Sequence, residues 1–251
     1  MPGYPFRSKR YILPLLLLII TASCRSSGHI SDDELPRQPF YAVDDSLQKD
    51  SEMEEWLEPY RAEYSQQMGR VVARTHGEFT FGQPESTLGN LVSDMIRYRA
   101  SHEMRQYVHV ALIDMDSFQL EFNEGLITLG ELYEFMPFNS QLVVVEMKGD
   151  EVRKLADEIA RKGGVPVSGL RMNILDDEAG SVLVNVESPD PGQTYLVATS
   201  SYIAGGGGGF SSIENSRVQH EHDLFIREII IDYMRSRREF YPEYDQRIRT
   251  R

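Results

Sequence analysis

Residues 141–164, QLVVVEMKGDEVRKLADEIARKGG, pass from an apolar strand into an amphipathic helix with no loop between them. The run from Leu142 to Val145 reads as strand. Val152, Leu155, Ala156 and Ile159 then recur at the spacing of one helix face, and Gly163 supplies the stop. A strand that feeds a striped helix this directly needs a layered architecture in which the stripe is buried. Other segments follow the same pattern. TLGNLVSDMIRYRA carries Leu88, Leu91, Val92, Met95 and Ile96 on one face, with Thr87 placed to cap it. YVHVALID reads as a buried strand, and TLGELYEFMPF as a short helix with Thr128 and Glu131 at capping-box spacing that stops before Pro137. SVLVNVES and TYLVATSSYIA read as strands, and LFIREIIIDYMRS as a helix followed by a charged tail. An outer amphipathic helix is expected around Met53, Trp56, Leu57, Tyr60 and Tyr64. Strands and helices interleave without regular βαβ spacing, so the fold class is α/β, of the α+β type, with mixed sheets.

The first 23 residues carry Arg7, Lys9 and Arg10 before the apolar run YILPLLLLII and the small residues TAS, the pattern of a secretory signal. Cys24, the single cysteine, follows at once and resembles the lipidation cysteine of bacterial lipoproteins; the alternative is an ordinary cleaved leader with a leftover thiol. One cysteine permits no internal disulfide. Residues 24–50 are polar and acidic and read as a flexible tether, leaving 51–251 as one domain. The expected location is the bacterial envelope, exported and held to the membrane by lipid. Removing residues 1–23 takes the formal charge from −13 to −16, which disfavours nucleic acid as a partner.

Three constellations bear on chemistry. VALIDMDSF ends a strand in Asp114-Met115-Asp116, which resembles the nucleophile motif of haloacid-dehalogenase-type phosphatases. Phe118 stands where those enzymes want a small residue, Asp176-Asp177 imitates their later magnesium ligands, and no lysine motif lies between. His220-Glu221-His222, followed by Asp223, reads as a solvated loop rather than a metal site. The five glycines of SSYIAGGGGGF precede Phe210, Ser211 and Ser212 with no lysine and no evident helix, so a phosphate cradle is disfavoured. Tyr202 beside bare backbone instead suggests one wall of a pocket for a flat ring.

Taken in order, ESTLGNLVSDMIR, GLITLGELYEFMPFNSQLVVVEMKGDEVRKL and TYLVATSSYIAGGGGGF resemble the C-terminal, substrate-recognising domain of the 5'-nucleotidase family. That resemblance implies a four-layer α/β/β/α fold in which helices enclose two mixed sheets. It implies that Phe138 and Tyr202 sandwich a nucleobase over a loop containing Gly206 and Gly207. It places Asp114, Asp116, Ser117 and Gln119 where the family usually has asparagine, paired glycines and arginine, and Gly208 where it has a ribose-binding aspartate. Asp114 and Gln119 are accordingly the polar candidates for substrate contact. Hydrolysis in the family belongs to an N-terminal two-metal domain, and only about 60 residues separate Cys24 from the first motif. His29, His76, His102 and His109 are scattered singly. No cofactor is therefore expected in this chain, divalent metals being expected in a separate metallophosphatase partner. The leading expectation is a nucleotide- or nucleoside-recognition module, binding another ring-bearing molecule if not these. The alternatives are a structural lipoprotein with Phe138 and Tyr202 as core aromatics, and a magnesium phosphatase with Asp114 as nucleophile.

Overall fold

The computed structural model describes residues 44, 46–216 and 218–250. Cys24, the leader and most of the tether lie outside the described residues. From Glu54 onward the chain is one compact unit.

Its elements run α1 (Ser51–Met68), β1 (Val71–Thr75), α2 (Thr87–Met104), β2 (Val110–Leu112), β3 (Gly125–Thr128), α3 (Leu129–Phe135), β4 (Gln141–Lys148) and α4 (Gly149–Arg161). They continue with β5 (Val167–Ser168), β6 (Leu170–Leu175), β7 (Glu178–Val184), β8 (Thr194–Ser200), α5 (Ser201–Ala204), α6 (Ser211–Glu214), β9 (Val218–Phe225), α7 (Ile226–Arg237), β10 (Glu239–Phe240) and β11 (Ile248–Thr250).

The central sheet has the order β5-β2-β8-β4-β9, with β2 and β8 parallel and the other pairs antiparallel. The central strands of this sheet are covered by apolar side chains on both faces. Ala111, Leu142, Val144, Leu196 and Ala198 join a core with Leu88, Val92, Met95 and Ile96 of α2 and Ile226, Ile229, Ile230 and Met234 of α7. Val110, Leu112, Val143, Val145 and Val197 join a second core with the α4 stripe and with Met172, Ile174, Val182 and Val184 of β6 and β7. A strand covered on both sides has no reason to alternate, which is why β4 and β8 read as apolar runs.

The mixed α/β architecture is as expected, but its strands form three sheets rather than two. Alongside the central sheet stand β10-β1-β3 and β11-β6-β7, each mixing parallel and antiparallel pairs. The charged tail is not a tail. Residues 239–250 supply β10 and β11, and between them Arg247 enters the protein to bind both oxygens of Asp94 at 2.7 and 3.0 Å, Asp245 at 2.8 Å and the Val167 carbonyl at 2.7 Å. Burial opposes its charge, but the hydrogen bonds and charges of Asp94 and Asp245 outweigh it and raise the Arg247 pKa.

Other local expectations need adjustment. Ser86, not Thr87, caps α2, its Oγ accepting from the Gly89 amide at 2.9 Å; Thr87 Oγ1 accepts from the Thr80 amide at 3.0 Å instead. The α3 capping box and the Gly163 stop (φ 74°) are present as read. Asp176 and Asp177, both with positive φ, are the turn of the β6–β7 hairpin. α1 has no buried residue, and Met53, Trp56, Tyr60 and Tyr64 are exposed. No helix among the described residues is long and apolar enough to cross a membrane.

Candidate functional site

β2 and β8 run parallel side by side, and β4 runs antiparallel to β8 with Leu142 opposite Ser200. The carboxyl ends of β2 and β8 therefore open at the same edge of the sheet as the amino end of β4. Three connections meet there, and a crevice outside the carboxyl ends of parallel strands is where ligands bind in open α/β sheets. A cleft of about 310 Å³ lies at this edge, lined by Asp114, Asp116, Ser117, Phe138, Ser140 and Tyr202.

Phe138 and Tyr202 line the same cleft and are 47% and 53% exposed, so neither is a core aromatic. Large rings left half in water around a concavity are surfaces awaiting a partner.

Tyr202 is placed by the abrupt end of β8. Ser200 caps α5 by accepting from the Ile203 amide at 3.3 Å, and Ser201 Oγ accepts from the Gln141 amide at 3.0 Å, tying the turn to β4. The Tyr202 ring lies against Gly207, where a Cβ would stand 2.5 Å from Cε2 and Cζ. Gly206 and Gly208 adopt φ 93° and 65°. Phe210 is then buried, with the Lys162 ammonium 5.0 Å from its ring centre.

Immediately after the glycines comes α6, where no helix was expected. Its first turn is closed by the buried Glu158 carboxylate of α4, which accepts from Ser211 Oγ at 2.6 Å and from the Ser212 amide at 3.1 Å. The position an anion would take in a phosphate loop is already held by a carboxylate of the chain itself, which removes the phosphate-cradle reading.

Phe138 is placed from α7. Arg227 donates to the Met136 carbonyl at 3.0 Å and to Asn139 Oδ1 at 2.9 Å while its guanidinium carbon sits 4.6 Å from the Tyr133 ring centre. The Ile226 amide donates to the Ser140 carbonyl at 2.9 Å. Neither contact was read from the sequence; the only trace there is a lone arginine at the start of an apolar helix.

The Asp114 carboxylate caps a 3₁₀ turn over Met115–Ser117, accepting from the Asp116 amide at 2.9 Å. The exposed Asp116 carboxylate has no partner among the described residues. Gln119 is exposed, its amide NH₂ contacting the Asp116 carbonyl at 3.4 Å. Gln119, Gly206 and Gly207 do not line the cleft; Gly207 lies against the Tyr202 ring, and Gly206 faces the Glu214 carboxylate. Among the described residues no group of three or more His, Cys, Asp or Glu is arranged to hold a metal ion.

His220-Glu221-His222 is not a loop. It lies in β9, the edge strand, with His220 opposite Val144 and 3.2 Å from Glu146. A run this polar reads as loop because its pairing comes entirely from the β4 backbone, and charged side chains are what protect an edge strand. At the opposite end of the sheet from the cleft, His109 Nδ1 accepts from the Leu196 amide at 3.0 Å, and burial lowers its pKa.

The family described as 5'-nucleotidase, C-terminal domain, matches residues 71–215. The chain belongs to this family. The match begins at β1 and ends just beyond α6, so it holds all three connections around the cleft but neither α7 nor the strands of 239–250. Among relatives of this C-terminal domain, the 5'-nucleotidase of Diplobatis ommata is 24% identical over 225 residues, covering 79% of this chain and 39% of that protein. The trifunctional nucleotide phosphoesterase protein YfkN of Bacillus subtilis is 26% identical over 156 residues, covering 56% of this chain and 10% of that one. In solved structures the fold matches a 5'-nucleotidase precursor from Thermus thermophilus, with a TM-score of 0.69, 24% identity and coverage of 78% and 42% of the two chains. The Haemophilus influenzae NAD nucleotidase NadN matches with a TM-score of 0.63, 18% identity and coverage of 80% and 41%. In each case the chain spans less than half of the longer relative.

Proposed function

We propose that this 5'-nucleotidase C-terminal domain recognises the ring of a nucleoside or nucleotide in the cleft between Phe138 and Tyr202, and that a separate metallophosphatase carries out hydrolysis in nucleotide catabolism. The observation that carries the reading is the pair of half-exposed aromatic rings on one cleft at the carboxyl ends of β2 and β8. Two aromatic faces give a flat ligand stacking and apolar burial. The relatives, nucleotide-directed by name and more than twice as long, support a division of labour in which metal chemistry lies elsewhere. Cys24 as a lipid anchor to the bacterial envelope belongs to the same proposal.

The competing phosphatase reading needs a free Asp114 nucleophile with metal ligands close by. Asp114 is engaged in capping its own turn, and Asp176-Asp177 belongs to the hairpin of another sheet. Calorimetric titration of the purified chain with adenosine tests the proposal: saturable binding is expected, weakened at least about tenfold in Tyr202→Ala and Phe138→Ala. Binding unchanged by both substitutions would sink it. Supplying a metallophosphatase chain and finding neither a complex nor faster turnover would sink the partner half alone.

A further inference from the structure

Resting on the ring-recognition reading above, we infer that the cleft selects a cationic or proton-rich heteroaromatic ring and rejects the phosphate of a nucleotide. The basis is the charge of the wall as a whole. Of the six lining residues, two are aromatic, two are the carboxylates of Asp114 and Asp116, two are serines, and none is basic. Asp116 lines the cleft, is exposed, and has no side-chain partner among the described residues. Asp114 is partly buried and both of its oxygens accept within its own turn, from the Asp116 amide at 2.9 Å and from Ser117 Oγ at 3.5 Å, so the unengaged carboxylate of the lining is that of Asp116.

Among the described residues, the cations held behind the cleft's loops are already engaged. Arg227 is committed behind the Phe138 turn to the Met136 carbonyl, Asn139 and the face of Tyr133. Beyond the glycines, Lys162 lies over Phe210, and the N-terminus of α6 is filled by Glu158. The features that would hold a phosphate are therefore either absent from the lining or already occupied.

An aromatic ring attracts a cation over its face, and an adjacent carboxylate adds a charge that a phosphate monoester would meet with the same sign. The same two rings thus accept adenine by stacking and accept a positively charged purine better. A nucleotide would bind well only when its phosphate is neutralised by the metals of a partner. The cleft contributes ring selection and the partner contributes phosphate binding.

The experiment is a calorimetric titration of the full chain near neutral pH with three probes: adenosine, 1-methyladenosine, which is cationic there, and AMP. The expected order is 1-methyladenosine tighter than adenosine by about tenfold, and AMP weaker than adenosine by at least about fivefold, both gaps shrinking in high salt. Asp116→Asn should narrow both gaps. Equal binding of adenosine and 1-methyladenosine, AMP binding tighter than adenosine, or gaps untouched by Asp116→Asn would overturn the inference while leaving ring recognition intact. Absence of binding by both nucleosides would overturn the ring pocket itself.

Discussion

The Gly207 backbone lies directly against the Tyr202 ring, so close that a Cβ at Gly207 would stand 2.5 Å from Cε2 and Cζ. Gly207 is not among the glycines with positive φ, so its requirement is for space and not for backbone freedom. Gly207→Ala should push the ring out of place and weaken adenosine binding about tenfold while changing stability by under about 1 kcal/mol. Calorimetry paired with thermal denaturation separates the two effects, and unchanged affinity would show that Gly207 does not set the ring.

Its neighbour Gly206 makes the opposite demand. With φ at 93° and the Glu214 carboxylate 2.9 Å from a built Cβ, Gly206→Ala should cost on the order of 1–3 kcal/mol of stability. Urea denaturation reads this directly; a neutral result would mean that the loop is free to change conformation.

Glu158 holds the far end of the same loop through Ser211 and Ser212. Glu158→Ala should destabilise the protein by about 1–3 kcal/mol because it strips a partly buried turn of its acceptor, and Glu158→Gln by less because one oxygen remains. Hydrogen exchange at residues 205–214 should quicken in the alanine variant before exchange in the sheet does. Uniform quickening throughout would argue that the loop has no separate stability.

Arg227→Ala removes the brace behind Phe138 and leaves the Met136 carbonyl and Asn139 without their donor. Ordering a side chain on binding costs about 0.5–1.5 kcal/mol, so adenosine affinity should fall by roughly two- to tenfold. Arg227→Lys should recover little, since a single ammonium cannot span both acceptors and the Tyr133 face. Full rescue by lysine would contradict the forked brace.

His109 predicts a pH dependence. Its folded pKa lies below the ordinary 6.5 because burial disfavours the imidazolium, and the Leu196 amide needs a lone pair on Nδ1. The unfolded state therefore takes up the proton first. This contribution to stability is complete above 6.5 and declines as pH falls through 6.5 toward the lowered folded value. Denaturation midpoints should fall on acidification through this range, and His109→Gln should flatten that part of the profile. A slope identical to wild type would assign the dependence to other groups.

The sheet's central strands and α2, α3, α4 and α7 are legible in the sequence because their apolar periodicity is strong and each has a physical start or stop. Phe138 and Tyr202 are legible as a pair only through the family resemblance, since nothing local relates residues so far apart. What escaped local reading has a common character. β9 is polar because it is an edge, β1 is only five residues long, and β10 and β11 are shorter still and charged. Their pairing is carried by backbone donors and acceptors, which composition does not record. Arg227 and Glu158 escaped for a related reason: a charged residue that braces a turn looks, in one dimension, like any solvated helix position.

The placement of residues 239–250 sets the order in which the fold can be completed. Arg74 meets Glu239 across about 165 intervening positions, and Met172 meets Ile248 across about 76. Until that segment arrives, β1 has only β3 beside it and β6 only β7, each a two-stranded pair with an open flank. Such pairs have little stability of their own, and parallel closure over long separations is slow. The same short segment that seals both small sheets therefore makes the newly made chain vulnerable to unwanted strand pairing until synthesis has passed residue 250.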